Sequence, residues 1–318
     1  MTTYIIRRLI LSALVLFLVS VFVFLAMRLL PGDPVLMYLS ASSVQEVTEE
    51  QLDLIRHQYG LDKTLPQQYL DWIAGVFRGD LGKSILNKSP VMDEIIRRLP
   101  ITLHIGILAF AVATILGIPA GVLCAIRRGS WLDNLLTTLS NIGITVPVFW
   151  LGIILIYVFA LYFKWLPVMG YTSPLSNFWL NTRQLIMPVF CLAVGPLAGN
   201  ARQARSSMLE VISKDYIRTA WSKGLRERRI VIKHALKNGL LPVVTLSGMG
   251  IGGILGGAVL IEQVFNIPGM GRLAVTSVMN QDYPYVQAIT LIMAASIVFS
   301  NLLVDISYGW LDPRVHYD

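Results

Sequence analysis

The chain has 318 residues, of which 55% are hydrophobic and only 14% charged. Soluble domains carry about a quarter charged residues, so this balance excludes an ordinary water-soluble protein and points to a membrane protein. The net charge of +7 is concentrated in particular loops and not in a basic stripe with exposed aromatics, which argues for membrane topology and against a nucleic-acid partner. Cys124 and Cys191 lie in apolar runs without CxxC spacing and read as small buried hydrophobes. Four scattered histidines show no HExxH or paired-ligand spacing, so no metal site is expected.

Arg7 and Arg8 precede an apolar run from Leu9 to Met27. It is long enough to span a bilayer and too long for a signal-peptide core, so it reads as an uncleaved first helix with its N-terminus inside. Arg28 is expected to snorkel to the outer interface. A polar stretch over 31–100 follows, with LPGDP at its start and helical pieces expected over Glu49–Tyr59 and Gln67–Phe77, divided by Gly60 and Pro66. By alternation it is an external helical cap. Gly82-Lys83-Ser84 looks like the end of a phosphate-binding loop, but Phe77 stands where that motif needs its first glycine.

The second span is expected over Ile101–Ala125, closed by Arg127, Arg128 and Gly129. The third, Leu135–Phe163, contains Pro147 and ends at Lys164-Trp165. Pro167–Arg183, with Trp179, reads as an external interfacial loop, and Leu185–Ala201 as a fourth span carrying Pro188 and Pro196. Prolines inside spans are tolerated where neighbouring helices satisfy the freed carbonyls.

Between Arg202 and Leu240 ten basic residues stand against three acidic ones, which places this segment on the cytoplasmic side. Ser213 can cap a helix there, Asp215 suits its first turn, and Ile217, Ala220, Trp221 and Gly224 fall on one face. Gly224 is a helix stop, and Glu227 to Lys237 can form a second helix before Asn238-Gly239 and Pro242. The expected product is a short surface helix with a mixed apolar and basic face, suited to docking a partner.

The fifth span, Leu240–Ile261, is glycine-dense. Gly248, Gly250 and Gly253 match GxGxxG only by accident, because that fingerprint needs a strand before it. Gly248, Gly252, Gly253, Gly256 and Gly257 instead form a smooth ridge for close helix packing, within the chain or against another subunit. Residues Glu262 to Tyr285 return outside, and Tyr285–Val304 is the sixth span. Glu262 and Asp305 sit at span ends, where an interfacial or capping role is expected. The fold class is therefore an all-α membrane protein of six transmembrane helices, with a small external helical cap between the first and second and both termini cytoplasmic. Its divisions are 1–30, 31–100 and 101–318, the last containing the cytoplasmic loop 202–240.

The run DYIRTAWSKGL (Asp215 to Leu225), followed by Lys233-His234-Ala235-Leu236-Lys237-Asn238 and Leu241-Pro242, resembles the signature loop of bacterial ABC importer permeases of the dipeptide, oligopeptide and nickel type. LPGDP (Leu30 to Pro34), YGLDKTLPQQY (Tyr59 to Tyr69), GDLGKS (Gly79 to Ser84), FNIPGMGRL (Phe265 to Leu273), DYPYVQ (Asp282 to Gln287) and LDPR (Leu311 to Arg314) extend the resemblance over nearly the whole chain. The general signature has EAA and then glycine; here Arg218-Thr219-Ala220 precede Gly224, a departure typical of the peptide-type branch.

The resemblance implies a type I ABC importer permease fold and a non-catalytic subunit that binds no cofactor itself. Asp215, Tyr216, Ile217, Arg218, Thr219, Ala220, Trp221, Lys223, Gly224 and Leu225 would form the ATPase-coupling helix within a 202–240 coupling loop. Implied partners are a homologous second permease, two ATP-binding subunits that hold ATP and magnesium, an extracytoplasmic solute-binding protein, a peptide-like substrate and membrane lipid. The implied location is the bacterial inner membrane. The competing reading, a self-sufficient secondary carrier or channel, usually needs a carboxylate inside a span, and no such residue stands out. An intramembrane enzyme would need a nucleophile beside His104, and none is evident.

Overall fold

The computed structural model describes residues 2–29, 53–54, 56–57 and 60–311. LPGDP, most of the expected helix Glu49–Tyr59, the surroundings of Gly253, the side chain of Asp305, and the tail after Leu311 lie outside what is described. Among the described residues the regular structure is helical, with one isolated bridge between Lys83 and Pro90. The helices are α1 (Thr2–Leu29), α2 (Leu65–Phe77), α3 (Val91–Ile126), α4 (Trp131–Thr145), α5 (Val148–Leu155), α6 (Phe178–Ile212) and α7 (Asp215–Ser222). After them come α8 (227–239), α9 (Leu241–Val264), α10 (Met270–Met279) and α11 (Tyr283–Leu311). Two stretches are π-helical: Ile156–Tyr162, which continues α5, and Ile230–Ala235 inside α8.

Four helices are long and apolar enough to cross a membrane, and two bent pairs bring the number to six if each pair is one span. The expected third span is one such pair. At Val146–Pro147 the chain turns by 105° between α4 and α5, so Leu135–Phe163 is not one continuous helix. The cause is local: Pro147 pushes the preceding Val146 out of the α region, to φ −70° and ψ 125°. In the second pair, Leu241–Gly252 and Gly256–Val264 are bent by 54° within α9.

Other boundaries move outward. α3 begins at Val91 and runs through Pro100, with Asp93 and Glu94 in its first turn and Glu94 paired to Arg98 at 2.8 Å. α6 begins at Phe178 because Asn177 caps it, accepting from the Leu180 amide at 2.9 Å. It carries Pro188 and Pro196 and continues through Arg202 and Arg205 to Ile212. α10 lies within the stretch Glu262 to Tyr285 expected to return outside, for which no helix was named.

The chain divides into two compact units. One comprises Arg7–Ile101 and Pro268–Val298. Its core gathers Leu81, Val91, Ile95, Met270, Leu273, Tyr285, Ala288 and Ile289. Asp282 is buried there, and the Ser84 hydroxyl and the Ile85 amide donate to its carboxylate. Gly82-Lys83-Ser84 thus has a structural place: Lys83 bridges Pro90 and Ser84 holds Asp282. Burial pushes the Asp282 carboxyl above its usual range, against the lowering effect of those donors. Arg28, expected at the outer interface, is half-buried: its Nε donates to Gln68 Oε1 at 3.0 Å, and its guanidinium lies over the Phe24 and Tyr283 rings at 4.5 and 5.0 Å.

The other unit comprises Met1–Ile6, Thr102–Ile267 and Phe299–Asp318. In it Gly117 and Gly121 of α3 lie against the backbone of α6. A Cβ at Gly121 would come within 2.2 Å of the Ala201 carbonyl oxygen, and one at Gly117 within 2.6 Å of that of Leu197. This GxxxG spacing was not singled out in the sequence, yet it marks the tightest helix contact of the described glycines. Glu262 is also corrected. It is fully buried and accepts from Thr102 Oγ1 at 2.5 Å, so it is not an interfacial residue. Cys124 and Cys191 are buried free thiols.

Candidate docking site

The candidate site is built on α7. Lys214, in extended conformation, sets the entry to the helix and Asp215 occupies the first turn, where a carboxylate suits the helix dipole. Ser213 is not the cap. It closes α6 instead, and its Oγ donates to the Glu210 carbonyl at 2.7 Å. The exit is set by Gly224 at φ 71°. Its amide bonds the Trp221 carbonyl at 2.9 Å while the Leu225 amide reaches back to Ala220 at 3.4 Å. That pair of bonds is a Schellman closure, with Leu225 and Ala220 in one hydrophobic cluster beneath it.

The expected single apolar face of α7 is divided. Ile217 and Ala220 point into a cluster with Ala125, Met208, Val211, Ile230, Val231 and Ala235. Tyr216 and Trp221 remain 44% and 46% exposed. Asp215 and Arg218 approach to 3.5 Å at the exposed surface, where a pair contributes little. Thr219 is exposed and its hydroxyl bonds the Asp215 carbonyl at 3.0 Å. Lys223 is the C-cap. The Tyr216 hydroxyl accepts from Asn238 Nδ2 at 3.0 Å, tying α7 to the end of α8. α7 is therefore seated on its own chain through Ile217 and Ala220 and offers two aromatic rings and a set of charges outward.

A second feature fixes α6 near this site. Asp133, in the first turn of α4, is buried and takes a two-pronged pair from Arg205 at 2.7 and 2.9 Å. It also accepts from the Gly129 amide at 3.0 Å and from Thr137 at 3.3 Å. Arg205 was counted only as one of the ten loop charges, and nothing in the sequence paired it with Asp133. A third feature lies at α3, α6 and α9. A cavity of about 310 Å³ there is lined by Phe110, Asn200 and Ser247, with Ser247 donating to Asn200 Oδ1 at 3.0 Å. Two polar side chains inside apolar helices were the available signal for it.

Of the glycine ridge, Gly248 is buried, Gly252 and Gly257 are half-buried, and a Cβ at Gly257 would meet Leu192 at 3.3 Å. Gly256 is exposed, with nothing within 4 Å of where a Cβ would stand.

Membrane-length helices and a short, firmly seated helix with two exposed aromatic rings are the features the chain offers for a function. The comparisons name the family. The family described as "Binding-protein-dependent transport system inner membrane component" matches residues 117–317, and its N-terminal companion matches residues 1–106. The chain belongs to this family of ABC importer permeases.

It is similar to a probable peptide ABC transporter permease of Sinorhizobium fredii, at 41% identity over 100% of both chains. It is similar to the oligopeptide transport permease AppB of Bacillus subtilis and to the glutathione transport permease GsiC of Escherichia coli, each at 40% identity over 100% of both chains. Among solved structures it is similar in fold to the methionine ABC transporter MetNI in an inward-facing form. The TM-score is 0.58 at 18% identity, covering 70% of this chain and 97% of that one. The chain is thus a non-catalytic inner-membrane permease, and in this family ATP is bound by separate subunits. These findings favour the importer over the self-sufficient carrier.

Proposed function

We propose that this permease carries short peptides inward, and that α7 is the element through which a separate ATPase drives it. The cargo reading rests on the peptide and glutathione permeases it is similar to. The coupling reading rests on one observation: Ile217 and Ala220 anchor α7 in the chain's own core while Tyr216 and Trp221 face outward. A helix held rigidly on one side transmits a partner's movement to α3 and α6, whose residues share its cluster. Exposed aromatic anchors are the residue types that carry docking energy.

In this proposal the 202–240 segment and both termini are cytoplasmic and the 31–100 stretch is extracytoplasmic. Two ATP-binding subunits, one homologous permease and a solute-binding protein complete the importer. Gly256, open on this chain, contributes to the contact with the second permease. The test is to purify the tagged chain from native membranes, identify its companions by mass spectrometry and assay the eluate for ATPase activity. A P-loop ATPase and a second permease should be recovered, and Trp221→Ala should lower recovery of the ATPase about tenfold, as for an interface anchor. A chain that purifies alone and transports without ATP would overturn the proposal. Unchanged ATPase recovery in Trp221→Ala would remove α7 from it.

A further inference from the structure

The cavity of about 310 Å³ at α3, α6 and α9 lies wholly within the unit that holds Thr102–Ile267. It sits near the middle of membrane-length helices. Phe110 lines it from α3, which runs from Val91 to Ile126, and Pro196, Gly199 and Asn200 line it from α6, which runs from Phe178 to Ile212. Ser247 and Gly250 come from α9. No charged side chain lines it.

Gly199 and Gly250 border this space from two different helices, and a Cβ built on either meets nothing within 4 Å. Neither has a positive φ, so neither serves a turn. Alanine would be the more stable residue at both positions, and unfilled volume in a core is destabilising in itself. At Gly117 and Gly121 the missing Cβ admits a neighbouring backbone; at Gly199 and Gly250 it keeps a cavity open. Room retained in this way at half the depth of a permease is room for something that passes. The lining also says what kind of group fits. Asn200 and Ser247 are 3% and 7% exposed and satisfy each other, with Ser247 donating to Asn200 Oδ1 at 3.0 Å and Asn200 Nδ2 to the Ala113 carbonyl at 3.4 Å. Nothing there would pair with a charge, and an unpaired charge at this depth is costly. The volume stands at the lower end of the range for small-molecule sites, roughly 300–1,000 Å³, which suits one bulky side chain better than a whole peptide. Pro196 also lines a smaller cavity of about 170 Å³ at the elbow between α4 and α5, again without a charged residue, where Gly195 has nothing within 4 Å of its Cβ position.

We infer that the cavity between α3, α6 and α9 receives an uncharged side chain of the transported peptide and limits its size, with Gly199 and Gly250 as the residues that set the limit. The peptide identity rests on the cargo proposed above; the neutral character of the cavity does not.

The experiment measures uptake of radiolabelled trialanine and Ala-Phe-Ala by cells in which variants replace the chromosomal copy, corrected for cells lacking the chain. One binding protein delivers both peptides to every variant, so a change in their uptake ratio belongs to this chain. Gly199→Leu and Gly250→Leu should each lower Ala-Phe-Ala relative to trialanine at least about tenfold, the discrimination that a methylene or more gives in an apolar pocket. Gly199→Ala should lower the ratio less and raise the melting temperature of the purified complex, since alanine is favoured in a helix and meets no neighbour there. An unchanged ratio in both leucine variants, with normal recovery of the partner subunits, overturns the inference. Loss of the second permease from the Gly199→Ala complex also overturns it, by making that glycine a subunit contact. A phospholipid held by the parent and lost from Gly199→Leu in native mass spectrometry, with the ratio unchanged, assigns the cavity to lipid instead. If the parent moves neither peptide, the cargo reading fails and thiol chemistry judges the cavity. In a chain carrying Cys124→Ala and Cys191→Ala, the Gly199→Cys thiol should then react at least about tenfold faster with methyl methanethiosulfonate than with its sulfonatoethyl analogue, relative to free cysteine, because the lining excludes charge. Equal relative rates overturn the neutral cavity; the expected preference upholds it without the peptide.

Discussion

Two glycine ridges in this protein behave in opposite ways. Gly117 and Gly121 of α3 are pressed against α6, with carbonyl oxygens where a Cβ would have to go. The ridge on α9 is looser: Gly257 meets only the end of Leu192, and Gly256 faces open space. The sequence makes the α9 ridge look the stronger packing device, because it has more glycines. The structure shows that glycine density alone does not locate a contact; a backbone brought alongside does. The same contrast separates the inner side of α7, closed by the chain's own core, from its outer side, which bears two unburied aromatics.

The largest expected effect tests the closed side of that contrast. Ala220→Glu forces a carboxylate into a site that is 7% exposed among apolar side chains. It should cost about 3–5 kcal/mol, the scale of an uncompensated buried charge, and should abolish ATP-driven uptake while the chain still inserts in the membrane. Wild-type uptake in this variant would show that α7 is not seated as described.

Gly121→Ala should cost about 3 kcal/mol, because its Cβ would meet backbone rather than a movable side chain. Thermal unfolding in detergent reads this directly, and a shift near zero would dissolve the distinction between the ridges. Gly256→Ala is the converse. Its effect on the isolated chain should stay within about 1 kcal/mol and tend towards stabilisation, since helical alanine is favoured over glycine. Recovery of the second permease should nevertheless fall. Normal recovery would leave the α9 ridge without a protein partner.

The smallest effect concerns two buried carboxylates. Asp133 is paired with Arg205, whereas Asp282 has neutral donors from Ser84 and Ile85. Burial raises the Asp282 pKa above 3.8, so the folded state holds its proton more tightly than the unfolded chain does. The associated stability is complete below that ordinary value and is lost as pH rises through the raised one. Melting temperatures of the parent should therefore fall relative to Asp282→Asn as pH is raised from the ordinary carboxylate value. Parallel profiles would show that burial does not govern this group.

Much of the site was legible locally. The helix over Asp215–Ser222 and its stop at Gly224 follow from a first-turn acid, apolar spacing and a glycine, all signals carried within a few residues. The cap was misplaced by one residue, because Ser213 satisfies the end of α6 through Glu210 and leaves Lys214 to open α7. Arg28 illustrates the harder case. A charge at the end of an apolar run is ordinarily drawn to water, and the contacts that leave this one half-buried come from Gln68, Phe24 and Tyr283 around it. Pro147 lay between these extremes. Its presence inside a long apolar run announced a disturbance, but not a turn of 105°.

The sequence by itself determined the membrane class, most of the helical segments and the family, because hydrophobicity, periodicity and ordered motifs are properties of neighbouring residues. Tertiary structure alone decided which glycines touch a backbone, which side of α7 is spent on the core, and that Phe110, Asn200 and Ser247 line one cavity. Those three residues lie on separate helices far apart in the chain. Their meeting depends on how the helices pack, which no local pattern encodes.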